Sequence, residues 1–161
     1  KILTIGIGGQ GSNPIHKLFN SGISSAKTVA MNTDAKHLGI INAHKKMLIG
    51  REITRGLGAG GFPEMGAKCA EASQREILET IKGYDLVFLC GGMGGGTGGG
   101  ALPVVAKYAK DEGALVVAFV TYPFDLERSR KVKADWALQQ LSRNADTTII
   151  IEKRTPSQLC T

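Results

Sequence analysis

The sequence has little that could staple, anchor or clamp it. Its three cysteines, Cys69, Cys90 and Cys160, are odd in number and show no paired ligand spacing. That excludes a disulfide frame or a zinc site and points to reduced thiols in a cytoplasmic chain. No apolar run approaches the roughly 20 residues that cross a bilayer, so no transmembrane segment is expected. No signal peptide opens the chain: a single charge at Lys1 leads into an apolar strand, then glycine and polar residues. The start at Lys1, without Met, reads as a trimmed N-terminus. Aromatics are scarce at 6%, and the 20 Lys and Arg behind the net charge of +6 are spread without aromatic interleaving. Direct nucleic-acid binding is therefore not expected. His16, His37 and His44 have no metal spacing and read as surface or partly packed residues. The pattern G-x-x-x-x-G-K-[ST] is absent, which excludes a phosphate loop built around a lysine.

Glycine is what the chain has in quantity. Its 22 glycines are concentrated in three runs, each placed ahead of a helix. The densest is Gly91-Gly92-Met93-Gly94-Gly95-Gly96-Thr97-Gly98-Gly99-Gly100. It follows a strand at Asp85–Cys90 and precedes a helix expected over Ala101–Glu112. Glycine lets backbone approach a ligand closely, and a helix start offers unpaired N–H groups to an anion. Thr97 adds the one hydroxyl. A flexible linker fits poorly, because linkers do not sit between a hydrophobic strand and a helix.

The other elements alternate in the same way. A strand at residues 2–7 leads to Gly8-Gly9-Gln10-Gly11-Ser12-Asn13 and a helix expected from Pro14 to Asn20, with Ser12 or Asn13 as its N-cap. Thr28–Asn32 reads as a strand ending at Asn32-Thr33-Asp34. Those polar residues suit the ligand edge of a parallel sheet and equally an Asx turn. Lys45-Lys46 reads as a loop into a short strand, Met47–Ile49. Gly56-Leu57-Gly58-Ala59-Gly60-Gly61 precedes a single helix expected over Pro63–Lys82, with Met65 and Cys69 in the core. The nearly continuous apolar run 114–122 suits a strand buried on both faces, followed by a turn at Pro123-Phe124-Asp125. Leu126–Arg143 carries Ala134, Ala137, Leu138 and Leu141 as a buried stripe with Trp136 packed beside it, and Thr147–Ile151 is the last strand. The fold class implied is α/β, one domain with a mainly parallel, doubly wound sheet and helices on both faces. Residues 152–161 read as an irregular tail.

Two function classes follow from the residues alone. Gly6-Ile7-Gly8-Gly9-Gln10-Gly11 satisfies G-x-G-x-x-G, and Asp34 lies about 20 positions on, where a nicotinamide-dependent oxidoreductase holds a ribose. Three glycine loops at one sheet edge instead offer more phosphate-facing backbone than a single fingerprint does.

Gly94–Gly98, with Gly92-Met93-Gly94 before it and Ala101-Leu102-Pro103-Val104-Val105-Ala106 after it, resembles the signature phosphate loop of the tubulin superfamily. Its prokaryotic branch, the FtsZ family of cell-division GTPases, is the better match, in an archaeal form. Gly8–Asn13 resembles that family's first phosphate loop, Asn32-Thr33-Asp34 its second contact, and Thr54–Gly61 the loop that senses the γ-phosphate. Thr121-Tyr122-Pro123-Phe124 with Glu127 resembles its ribose turn. The resemblance spans residues 1–151 and implies a Rossmann-like domain that binds GTP or GDP with Mg2+ held mainly through phosphates and water. It implies that Gly9, Gln10, Gly11, Ser12 and Asn13 line the α/β-phosphates. Gly94, Gly95, Gly96, Thr97 and Gly98 would hold the phosphates from the other side. Asn32 and Asp34 make the second contact, Ala59, Gly60 and Gly61 approach the γ-phosphate, and Glu127 meets the ribose.

The chain departs from the family at several positions. Arg128 and Lys131 stand where the family has Gly and Arg, with Arg130 adjacent, so Lys131, a contact of another chemistry, and Arg130 are the alternatives for reaching the nucleotide. Phe62 stands where the family often has Asn. No residue matches the family's base-reading helix or its acidic catalytic loop, and no catalytic residue is assigned. The family's head-to-tail filament, in which the next subunit supplies that acid, implies self-association, other cell-division partners at the division site and little turnover by this chain alone. A nucleotide-binding scaffold without hydrolysis is the third reading.

Overall fold

The computed structural model describes residues 1–123 and 128–153. Six strands form one sheet in the order β3-β2-β1-β4-β5-β6, and every neighbouring pair is parallel. They are β1 Ile2–Ile7, β2 Lys27–Asn32, β3 Lys45–Leu48, β4 Leu86–Gly92, β5 Leu115–Pro123 and β6 Thr147–Lys153. The helices are α1 Gly8–Asn20, α2 Ala35–Gly39, α3 Arg51–Thr54, α4 Pro63–Ala72, α5 Gln74–Ile81, α6 Gly96–Asp111 and α7 Arg128–Asn144. The chain winds from β1 outward to β3, then returns to β4 beside β1 and winds the other way to β6. The reversal lies between β1 and β4, where an open α/β sheet leaves a crevice at its carboxyl edge. The first glycine run and the densest one lie at the ends of these two strands.

Alternation along the strands separates two layers. Leu3, Ile5, Ile7, Val87, Leu89, Val116, Ala118 and Val120 are fully buried against residues of α4 to α7 such as Cys69, Ile77, Leu102, Val105 and Ala137. The opposite face carries a smaller cluster, Ile15, Ala30, Leu38 and Ile41, under α1 and α2. α1 lies over β1, β2 and β4. On that face β5 is only partly covered, and Leu115 is 53% exposed. The expectation of a strand buried on both faces is thus corrected: Val117 and Phe119 are half-buried, and the Phe119 ring leans on Phe88 at 5.8 Å.

Several boundaries also move. α1 opens at Gly8, not Pro14. Glycine costs a helix about 1 kcal/mol against alanine, which is why the run reads as a loop. Neither Ser12 nor Asn13 is its N-cap. That position is Ile7, with no side-chain bond, and the Ser12 hydroxyl donates to the Gly8 carbonyl inside the helix at 2.7 Å. α6 likewise opens at Gly96, five residues early. The single helix 63–82 is two, broken at Ser73, whose hydroxyl turns aside to accept the Gly50 N–H at 3.0 Å. Lys45 and Lys46 belong to β3. Trp136 is 48% exposed rather than packed, because Ala134, Ala137 and Leu141 already fill the buried side of α7. β6 extends through Lys153. The Phe124-Asp125 turn, the helix start at Leu126 and residues 154–161 lie outside the described residues.

Candidate functional site

The sheet topology brings the first turns of α1 and α6 together. A Cβ built on Gly8 would stand 3.3 Å from the Gly98 nitrogen and 3.5 Å from the Thr97 Cβ. Both helices start without a side-chain cap, behind Ile7 and Gly95 respectively. The first N–H groups of a helix have no intrahelical partner. Two positive dipole ends with free donors therefore meet at the switch point, a ready anion site.

The expected site residues divide within this frame. Gly9 is half-buried beneath His37, whose Nε2 would be 3.4 Å from a Cβ there. Gln10 is turned sideways: its Oε1 accepts the Thr121 hydroxyl at 2.7 Å, across the end of β4. Gly11 is buried, and a Cβ on it would strike the Cys90 carbonyl at 2.2 Å. Ser12 is buried with its hydroxyl directed into α1, and Asn13, the next residue, is exposed. Gly95 faces open space, with no atom within 4 Å of its Cβ position, whereas Cβ atoms on Gly96 and Gly98 would clash with Phe62 N at 2.6 Å and the Gly92 carbonyl at 2.5 Å. Gly94 is half-buried and leads into this turn.

Asn32 and Asp34 build a turn. Asn32 Oδ1 accepts the N–H groups of Thr33 and Asp34 at 2.8 and 3.1 Å, and Asp34 Oδ1 caps α2 by accepting the His37 N–H at 3.2 Å. The third loop is fastened to that turn. Gly56 O accepts the Ala35 N–H at 2.9 Å and Thr33 O accepts the Gly58 N–H at 3.1 Å. Arg55, Gly56, Gly58, Gly60 and Gly61 all have positive φ, so the loop turns tightly and presents backbone. Ala59 is buried beneath Gly60 and Gly61, which are exposed.

Lys131 is exposed near the start of α7. Glu127 lies outside the described residues. Four further residues at this edge are not among the expected site residues: Thr33, Thr121, Phe62 and Lys133, whose ammonium lies 4.9 Å from the Phe62 ring centroid. Thr33 and Thr121 lie inside motifs already singled out, so position could have flagged them. Nothing in the sequence links residue 62 to 133.

Burial pushes the Cys90 thiol up to about 11, so it is inert at neutral pH. Burial, reinforced by the Asp135 carboxylate, pushes the Tyr122 phenol up to about 12. Tyr122 donates to Asp135 Oδ1, fastening the end of β5 to α7. Among the described residues no three His, Cys, Asp or Glu side chains come together as a metal cage, and no helix is long and apolar enough to cross a membrane.

A parallel α/β sheet with uncapped glycine-led helices at its switch point is the architecture of a phosphate-binding domain. The sequence profile of the Tubulin/FtsZ family, GTPase domain, matches residues 1–160, and the chain belongs to that family. It is 53% identical over 152 residues to cell division protein FtsZ 2 of Methanocaldococcus jannaschii, covering 94% of this chain and 40% of that protein. Against FtsZ 1 of Thermococcus kodakarensis it is 52% identical, covering 94% and 41%. An empty FtsZ dimer of M. jannaschii superposes with a TM-score of 0.93 at 45% identity, over 99% of this chain and 49% of that one. A GTPγS-bound protofilament of CetZ2 from Haloferax volcanii gives 0.85 at 26%, over 98% and 53%. The chain spans about two fifths of the length of these curated relatives.

Proposed function

We propose that residues 1–151 are the nucleotide-binding domain of a filament-forming cell-division GTPase, and that the domain binds GTP and GDP. The observation that carries this is the meeting of two uncapped helix starts, Gly8 against Thr97–Gly98, at the switch point. The N–H groups of α1 and α6 would hold phosphate oxygens from two sides, and exposed Gly60 and Gly61 border the same edge. Gly9, after β1, and Gly95 and Thr97, after β4, are the residues best placed to meet phosphate. Gly11, Gly96 and Gly98 act by allowing the close packing that aims those N–H groups. Ser12 serves α1 itself. Glu127 and Lys131 are retained as ribose-side and phosphate-side candidates. Mg2+ would arrive with the nucleotide, held by phosphate oxygens and water, since the described residues provide no carboxylate cage. It would neutralise phosphate charge there.

Water activation belongs to another subunit in this reading. Asp34 is committed to the cap of α2, and backbone N–H groups stabilise charge without deprotonating water. Head-to-tail association with a subunit that carries the family's acidic loop would complete the site. The relatives described as a dimer and a protofilament are consistent with that. The cytoplasm, and within it the division site alongside other cell-division proteins, is the proposed setting.

Calorimetric titration with GTP, GDP, ATP and NAD in the presence of Mg2+ tests the reading. GTP and GDP should bind more tightly than NAD, with weak preference over ATP. Equal or tighter NAD binding would restore the oxidoreductase alternative. Phosphate release per molecule should stay low at every protein concentration. A rate that climbs with concentration would mean that the chain supplies its own catalytic acid.

A further inference from the structure

Thr33 has the most connected backbone and side chain at the carboxyl edge of the sheet, yet it is fully buried and cannot meet a ligand. Its N–H donates to Asn32 Oδ1 at 2.8 Å. Its carbonyl accepts the Gly58 N–H at 3.1 Å and the Thr54 hydroxyl at 3.5 Å. Its own hydroxyl lies 2.7 Å from the hydroxyl of Thr97, 64 residues away in the first turn of α6. One residue thus ties the second loop, the third loop and the start of α6 together.

The hydroxyl pair has two possible directions. A buried O–H is rarely left without an acceptor, and among the described residues Thr97 Oγ1 is the partner of Thr33 Oγ1. If Thr33 donates, Thr97 is left with its proton free to point out of the half-buried turn. If Thr97 donates inward, its lone pairs face outward instead. An anion at the uncapped start of α6 favours the first arrangement, because it attracts a donor and repels lone pairs.

We propose that Thr33 is a positioning residue for the phosphate site: its hydroxyl donates to Thr97 Oγ1 and so directs the Thr97 proton toward a bound phosphate. The inference rests on the nucleotide reading above and adds a residue that does not itself touch the nucleotide. Its carbonyl bonds hold Thr33 in place, so the hydroxyl is presented from a fixed backbone. The effect should be shared by nucleotides with two and three phosphates.

The test compares GDP and GTPγS affinity in the whole chain and in Thr33→Val, Thr33→Ser, Thr97→Val and the double variant Thr33→Val/Thr97→Val. Valine keeps the branched shape and removes the hydroxyl, leaving Thr97 still able to reach water. Thr33→Val should weaken both nucleotides about tenfold, the size of one hydrogen bond to a charged group. Thr33→Ser should restore most of the loss. In the double variant, Thr33→Val should add less than about twofold to Thr97→Val, since it acts through that hydroxyl. A purely structural role would instead lower the thermal midpoint, give additive losses and resist rescue by serine, and would overturn the proposal. Wild-type binding with an unchanged Thr33→Val affinity would overturn it while leaving the nucleotide site standing. Wild-type chain that binds neither nucleotide would overturn both.

Discussion

Two neighbouring regions of the molecule use glycine for opposite reasons. In the seam between α4 and α6 the helices approach until no side chain fits. A Cβ on Gly66 would stand 2.2 Å from the Gly96 carbonyl, and one on Gly100 would stand 1.8 Å from the Pro63 carbonyl. At the mouth above α6, Gly61 and Gly95 have no atom within 4 Å of their Cβ positions. The seam glycines allow backbone to meet backbone, and the mouth glycines face open space. Gly95 and Gly100 lie in one ten-residue run, so a shared composition hides two separate physical demands.

The largest effect expected is at the seam. Gly100→Ala forces a methyl into a carbonyl oxygen, and neither helix backbone can give way cheaply. Overpacking of that kind costs about 3 kcal/mol or more, and thermal unfolding should show a much lowered midpoint or no cooperative transition. A Gly100→Ala chain with native stability would show that α4 and α6 pack less closely than described.

The next effect concerns α7, which borders both regions. Ala137 would lie 3.6 Å from a Cβ on Gly99 at the seam, while Lys133 covers Phe62 at the mouth. Tyr122 fastens this helix through Asp135, and its phenol is raised from 10.0 to about 12. The folded chain keeps that proton when the unfolded chain has given it up. The stabilisation is therefore complete below pH 10 and is lost as pH rises to 12. Cys90, raised from 9.0 to about 11, contributes in the same sense between those values. Urea unfolding across pH 9 to 12 should show a steep fall, and Tyr122→Phe should flatten its upper part. An unchanged slope in the variant would place the alkaline sensitivity elsewhere.

The mouth should respond in binding, not stability. Gly95 is extended, with φ −102° and ψ 164°, so alanine is sterically acceptable there. Gly95→Ala should unfold within about 0.5 kcal/mol of wild type. Its methyl would still stand in the path of a phosphate approaching the first N–H groups of α6, and GDP affinity should fall about tenfold. Full stability with full affinity would mean that the open space at Gly95 faces solvent rather than ligand.

The contrast also explains what could be read from the chain beforehand. Strand and helix alternation was legible because apolar runs such as Leu86–Leu89 and the stripe Ala134, Ala137, Leu141 follow the periods of their elements. Which edge gathers the loops that follow the strands is legible too, because right-handed crossovers fix where those loops must lie. The helix starts at Gly8 and Gly96 were hidden by glycine's poor helix propensity, which tertiary contacts override here. The break at Ser73 is decided by a bond to Gly50, 23 residues away. The side-chain partners of Gln10 and Ser12 are not legible: the Gln10 amide bonds Thr121, 111 residues distant, and the Ser12 hydroxyl bonds its own helix. Partners so far apart in sequence leave no local pattern.

The smallest effect tests the boundary between seam and mouth, which runs through Phe62. Its nitrogen would lie 2.6 Å from a Cβ on Gly96, and its ring 3.5 Å from one on Gly60. The residue therefore closes the end of the seam with its backbone and borders the mouth with a ring that is 51% exposed. An exposed ring of that size gains little from burial, so the Lys133 ammonium 4.9 Å from its centroid is the interaction that orders it. At an exposed site such a contact contributes about 0.5–1 kcal/mol. Lys133→Met keeps the side-chain stem and removes the charge, and Phe62→Leu removes the aromatic face while keeping apolar volume. A double-mutant cycle in urea unfolding should give a coupling of about 0.5–1 kcal/mol that persists in moderate salt. Each single variant should leave the seam intact, because the backbone approach of Phe62 to Gly96 involves neither side chain. Zero coupling would leave the ring held by its backbone alone, and Phe62 would then belong to the seam and not to the mouth.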